Sequence, residues 1–331
     1  MKYQLIVSGI FAVTILSGCS KQFETSTSGS ASQSSSATNS GSSQQTPPAS
    51  QPNTTSNKML QSVASNLSLS SIQSANGISL SESEIQALIA SATAAVNANG
   101  LGSSTDVKAL LPVLIQGLTQ GIGGLPVASG NNQQQLSSLI SVVAKLALDA
   151  AVASSGTGLS AELVQILATA IFKNLPGAGA NSGNLSDISG SLMNALVAYL
   201  GQKGVSNTAL QALLQSLSSG AVLGVGGLNF ANVGSALLQQ ILSKIGAGSV
   251  AGLAGVSNNS TVLQGLISAI TAGAQGSLGQ VANGQPGLGL NLKDLLASLI
   301  SGQSSSLPTL PVNSSQQVLI STLLQVLLSK I

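Results

Sequence analysis

The sequence has no histidine, no tryptophan and no arginine, and all ten of its basic residues are lysines. Without an imidazole the commonest general base and metal ligand is missing, so neither a Ser-His-Asp triad nor a Cys-His dyad can be assembled. A single cysteine, Cys19, allows no intramolecular disulfide and no thiolate–imidazole zinc site. Charged residues are 5% of the chain, where about 25% is ordinary. With a net charge of +2 and scattered lysines there is no basic patch for a nucleic acid. No Ser-x-x-Lys, Gly-x-Ser-x-Gly or Gly-Lys pattern occurs, which removes the lysine-activated serine, the nucleophile elbow and the phosphate-binding loop. Gly246-Ala247-Gly248-Ser249-Val250-Ala251 loosely mimics a dinucleotide-binding turn. It follows an expected helix and not a strand, so it is set aside.

The eight carboxylates are Glu24, Glu82, Glu84, Asp106, Asp149, Glu162, Asp187 and Asp294. Six of them, all but Glu24 and Asp149, stand near expected helix starts, where a negative charge favours the helix dipole. That role explains them better than a paired-acid hydrolase. The sequence therefore predicts no catalytic residue, no cofactor and no metal.

Met1-Lys2 gives the chain a short positive start, and Leu5 to Leu16 is an apolar run of a dozen residues. A helix of that length is under ~20 Å long, short of the ~30 Å bilayer core. Leu16-Ser17-Gly18-Cys19 follows. This block resembles the lipobox of bacterial lipoproteins: Leu, two small residues, then Cys. The resemblance implies export, cleavage between Gly18 and Cys19, lipidation of the Cys19 thiol and, usually, N-acylation. Two or three acyl chains, at ~0.8 kcal/mol per buried CH₂, hold a protein on a membrane durably. The expected site is the cell envelope. Ser20, in place of the Asp that often causes inner-membrane retention, favours the outer membrane if the source is Gram-negative.

Residues 19–57 are mostly Ser, Thr, Gln, Asn, Gly, Ala and Pro, as in Ser34-Ser35-Ser36 and Gln44-Gln45-Thr46-Pro47-Pro48. Such a segment buries too little to offset the entropy of ordering, so the sequence predicts a disordered tether. As a coil it spans ~30–35 Å r.m.s..

Residues 58–331 form the body. The chain is 43% hydrophobic but 2% aromatic, so its core must be aliphatic. The periodicity is helical. In Gly234–Gly246, Leu237, Leu238, Ile241, Leu242 and Ile245 share one face opposite Gln239, Gln240, Ser243 and Lys244, with Gly246 expected to end the helix. Ser81-Glu82-Ser83-Glu84 is a capping box for a helix from Glu82 to about Asn97. Thr105-Asp106 opens another, with Pro112 inside it. Further starts are expected near Asn132, Ser160, Ser186, Ser206, Asn229, Asn259, Asn291 and Asn313, with one more segment over Leu67–Ala75. The apolar blocks recur every ~20–30 residues, as in Leu213-Leu214-Gln215, Leu237-Leu238-Gln239 and Leu323-Leu324-Gln325. The fold class is all-α: an irregular multi-helix bundle or a loose helical array. Gly, Asn, Gln and Ser break every apolar run before ~18 residues, which argues against membrane spans.

A weakly charged surface repels its own copies weakly. The sequence therefore predicts a non-catalytic structural or interaction role, with the membrane reached through the lipid on Cys19 and with self-association or an envelope partner. The alternative is a lipid carrier or membrane-active helical protein. A close-packed core with a self-complementary outer face favours the first; an apolar cavity favours the second.

Overall fold

The structure is a computed structural model that describes residues 54–68, 77–129, 132–228, 234–284 and 291–329. Gly18, Cys19, almost all of the expected tether and most of the Leu67–Ala75 segment lie outside the described residues.

The described residues hold twelve α-helices and no strand, so the fold is all-α. In chain order they are α1 (Thr55–Leu67), α2 (Glu82–Ala98), α3 (Val107–Gly123), the short α4 (Pro126–Ser129), α5 (Gln133–Ser155), α6 (Ala161–Lys173), α7 (Leu185–Gly201), α8 (Asn207–Gly226), α9 (Gly234–Gly252), α10 (Ser260–Gly284), α11 (Leu292–Ser305) and α12 (Ser314–Ser329). Helix α1 begins two residues before the expected end of the tether, with Thr54 accepting the Asn57 amide as its cap.

Capping explains where most helices begin. Ser81 accepts the Glu84 amide while the Glu84 carboxylate accepts the Ser81 amide, the reciprocal pair expected from sequence. Asp106, Ser160, Ser206, Asn259 and Asn291 each accept an amide of the following turn. Asn313 and Gln316 repeat the reciprocal pair at α12, 2.9 and 3.1 Å. Each such cap is worth about 1 kcal/mol. The Glu84 carboxyl is held below its ordinary pKa, chiefly by the hydrogen bond from the Ser81 backbone and then by the Ser81 hydroxyl.

The order of packing resolves the choice between bundle and array. From α6 to α11 the closest neighbours are helices two apart in the chain, so successive helices alternate between two rows. One row is α1, α5, α7, α9, α11. The other is α2, α3, α6, α8, α10. Within a row, from α5 and from α3 onward, neighbours run parallel: Asp187 in the first turn of α7 pairs with Lys244 midway along α9, and Asn194 meets Gly248 and Gly252 further along both. The repeating unit is thus a helical hairpin of about 50 residues, two of the apolar blocks read in the sequence, stacked as in a helical solenoid. The core between the rows is continuous and aliphatic, with Phe172 the one aromatic residue fully buried in it among the described residues.

Glycine sets the spacing within each row. A Cβ on Gly220 would stand 2.5 Å from the Gln165 carbonyl oxygen, and one on Gly224 would stand 2.7 Å from that of Thr169. Gly252 meets the Asn194 carbonyl at 2.7 Å, and Gly117 meets the Ala92 Cα at 2.6 Å in the same sense. Gly246, Gly248, Gly273 and Gly302 press still closer on the backbone of a neighbouring helix. Three of these contacts use Gly-x-x-x-Gly, at 117–121, 220–224 and 248–252, a spacing that lets two helix backbones touch. Gly246 therefore does not end a helix, as the sequence suggested. It lies inside α9, which runs on to Gly252 because the glycine packs against the backbone of Leu299 in α11.

Helices α5 and α8 are long and apolar enough to cross a membrane by length and composition. Here most of each apolar window is buried against neighbouring helices. Their apolar runs are broken, as the sequence indicated; they pass by average because Ser, Gln and Gly dilute an apolar average much less than charges do.

Candidate functional site

The densest group of ionisable side chains lies on the outer side of one row, between α5 and α7. Lys145 and Asp149 are four residues apart on one face of α5, while Tyr199 lies in the last turn of α7 and Lys203 in the turn just past its end. Because the helices are parallel and adjacent, these groups meet. The Tyr199 hydroxyl donates a short hydrogen bond to Asp149 Oδ1. Lys203 Nζ donates to the same oxygen at 2.7 Å and lies 4.2 Å from the Tyr199 ring centroid. Lys145 Nζ approaches the same ring at 5.9 Å and makes no ion pair among the described residues.

This geometry binds the helices together and disarms the groups. Burial first, then the hydrogen bond to Asp149 and its negative charge, push the Tyr199 phenol well above its ordinary pKa. It stays protonated and cannot serve as a nucleophile or base at neutral pH. The carboxylate is taken up by a phenol and an ammonium. Burial lowers the pKa of Lys145. Lys145 and Lys203 both offer a cation to the ring face.

The other two ion pairs repeat this design. Lys108 of α3 pairs with Glu162 of α6 at 2.6 Å, and Lys244 of α9 pairs with Asp187 of α7 at 2.7 Å. Each of the three ion pairs among the described residues joins neighbours within a single row, one in the row of α3 and α6 and two in the row of α5, α7 and α9. A hydroxyl ladder does the same across α6, α8 and α10: Gln165 Nε2 donates to Ser219 Oγ at 3.4 Å, and Ser219 meets Ser277 at 2.7 Å.

The expected carboxylate roles hold. Glu82, Glu84, Glu162, Asp187 and Asp294 lie in first turns, and Asp106 is an N-cap. Among the described residues no group of three or more His, Cys, Asp or Glu could hold a metal. Sequence reasoning missed the Asp149–Tyr199–Lys203 group because its members are 50 and 54 residues apart. One signal was present: Asp149 was the single carboxylate of the body that no helix start explained.

Two of the surface grooves have apolar walls and room for a ligand. One, of about 790 Å³, lies open between α1 and α2 and is lined by Ala64, Ile85, Ile89 and Ala94 with Glu82 at its side. The other, of about 440 Å³, lies between α3 and α6, where Pro112, Val113, Ile166 and Ala170 face each other with Gln116 and Lys173 at the rim. Neither gathers groups for chemistry. The chain matches no protein-family profile and no curated protein.

Proposed function

We propose that this chain is a lipid-anchored lipoprotein of the cell envelope whose helical array has a structural or interaction role and no catalytic one. Residues 1–18 are the signal, Cys19 carries the lipid, residues 20–57 are a tether and the array is the working body. In a Gram-negative source the reading places it at the outer membrane. The anchor rests on Leu16-Ser17-Gly18-Cys19. The role of the body rests on one observation above the rest: glycine brings successive helices of a row to backbone contact. Such rows are a stiff, filled scaffold, and the three ion pairs among the described residues each tie neighbours of a row together.

The test follows Cys19. Metabolic labelling with a palmitate analogue in a bacterial host should label the wild type and not Cys19→Ser, and the variant should leave the membrane fraction. Label retained on Cys19→Ser would refute the anchor. The apolar groove between α3 and α6 favours a second reading, a carrier of aliphatic ligands. Stoichiometric lipid extracted from purified Cys19→Ser protein, lost on Ile166→Gln, would establish the carrier over the scaffold.

A further inference from the structure

We infer that the groove between α3 and α6 binds a single-chain aliphatic carboxylate, with the chain laid along the groove and the carboxylate at Lys173. The inference rests on the carrier reading of the same groove and names the class of ligand that the groove takes.

This junction is built unlike those that follow it in the row. Glycines of α8 and α10 bring α8 against α6, and α10 against α8, backbone to backbone. No glycine stands between α3 and α6: α6 contains none, and Gly117 and Gly121 of α3 face α2. The two helices meet less extensively than α6 and α8 do. They are nevertheless tied at both ends. At one end Lys108 and Glu162 pair at 2.6 Å. At the other, Gly123 closes on the Gly177 carbonyl in the turn that follows α6. Counting along both helices from the ion pair brings Pro112 level with Ile166, and Gln116 level with Ala170. Between the ties Val113 and Ile166 are only half-buried, and a groove of about 440 Å³ stays open. That volume is near the lower end of the ~300–1,000 Å³ usual for small-ligand sites, and it suits one aliphatic chain better than two.

The lining is sorted along the groove. Nearer the Lys108–Glu162 pair the walls are Pro112, Val113 and Ile166; about a turn further on come Gln116, Thr169 and Lys173. Lys173 is the one charged residue of this lining, and it makes no ion pair among the described residues. Thr169 and Lys173 are four apart and share a face of α6. Gln116, Thr169 and Lys173 all offer donors, which an ionised carboxylate, an acceptor only, can use. A ligand that covers the first part with hydrocarbon and brings one negative charge to the second complements both. A cationic amphiphile meets Lys173 as its like, and a neutral one leaves the ammonium unused.

The experiment is calorimetric titration of the mature chain, residues 19–331, with Cys19→Ser, freed of co-purified lipid, at low ionic strength and with each probe below its micelle concentration. Decanoate should bind one to one and more tightly than decanol or decyltrimethylammonium. Lys173→Met should weaken decanoate about two- to fivefold, the range for an exposed charge pair, and leave decanol unchanged. Ile166→Gln should weaken decanoate and decanol alike, by about tenfold, through lost apolar contact. Gln116→Trp fills the groove from its exposed rim and should abolish binding of both. If Ile166→Gln loses helical content, Gln116→Trp alone decides the location. Decanoate binding that Lys173→Met leaves unaltered, or a decanol or decyltrimethylammonium affinity equal to that of decanoate, overturns the head-group assignment and leaves the carrier reading standing. Binding that survives Gln116→Trp overturns the groove as the site. No saturable binding of any probe overturns the inference and the carrier reading together. None of these outcomes touches the Cys19 labelling result.

Discussion

Gly273→Ala and Gly276→Ala add the same methyl group to α10 three residues apart, and the structure sends them in opposite directions. In a helix interior alanine is favoured over glycine by about 0.8–1 kcal/mol. At Gly276 no atom lies within 4 Å of the new Cβ, so that gain appears nearly whole. At Gly273 the new Cβ would overlap the carbonyl oxygen of Gln215 in α8. The obstacle is backbone, so it cannot rotate away, and α8 and α10 must separate. Overpacking of this kind costs about 1–3 kcal/mol and occasionally more, and separation also strains the Ser219–Ser277 hydrogen bond, itself worth about 1 kcal/mol. After the helix-propensity gain, Gly273→Ala is destabilising by about 1–3 kcal/mol. For a body of this size 1 kcal/mol moves Tm by about 2–4 °C. Gly276→Ala should therefore raise Tm by about 1–4 °C and Gly273→Ala should lower it by about 2–12 °C. Both would be measured by circular dichroism on the mature Cys19→Ser chain. An equal rise for the two variants would refute the backbone contact between α8 and α10, and with it the close-packed rows.

Tyr199→Phe should lower stability by about 0.5–1.5 kcal/mol at neutral pH by removing one donor to Asp149. Because the folded phenol holds its proton more tightly than the unfolded one, its contribution is intact below the ordinary phenol pKa of about 10 and declines as pH rises above it. A Tm–pH series should show that alkaline decline in the wild type and a flatter limb in Tyr199→Phe. Lys145 has the opposite sign: its lowered pKa marks a burial penalty present at neutral pH that eases toward pH ~10.4, so Lys145→Met should raise Tm at neutral pH, with the advantage shrinking near pH 10. Thr271 donates to the buried Gln303 at 3.1 Å. Thr271→Val alone should cost about 1–3 kcal/mol, and Thr271→Val with Gln303→Leu should recover most of it, read from denaturation midpoints of the full double-mutant cycle. The three ion pairs involve half-exposed side chains, so 1 M salt should weaken stability by less than about 1 kcal/mol per pair in the same denaturation assay.

Helix starts were the legible part of this fold. Ser81, Ser160, Ser206, Asn259 and Asn291 act on amides two or three residues away, and so short a range is visible in sequence. The starts expected near Asn132 and Ser186 are helices α5 and α7, although Asn132 and Asn184 make no side-chain cap bond to the helix. The start expected near Asn229 falls among residues outside those described, and α9 is described from Gly234. The array was harder to read because its determinant looks like a stop signal. Glycine at 246 or 220 reads as a helix end by local preference. Its role here is set by a carbonyl on a helix some 55 residues away. The Asp149–Tyr199–Lys203 group was hidden for the same reason, since a contact between parallel helices of one row carries the whole repeat as its sequence separation.

The alternation of rows has an electrostatic consequence. Every peptide dipole in α5, α7, α9 and α11 points one way along the stack, and those in α6, α8 and α10 point the other, since short connections turn each helix back on the last. At either edge of the array the positive ends of one row stand beside the negative ends of the other. The two fields largely cancel at distances beyond a helix spacing. A chain already poor in charged side chains thus adds little net field from its backbone. It approaches a membrane, a partner or its own twin without long-range steering in any orientation, and contact at short range decides what stays.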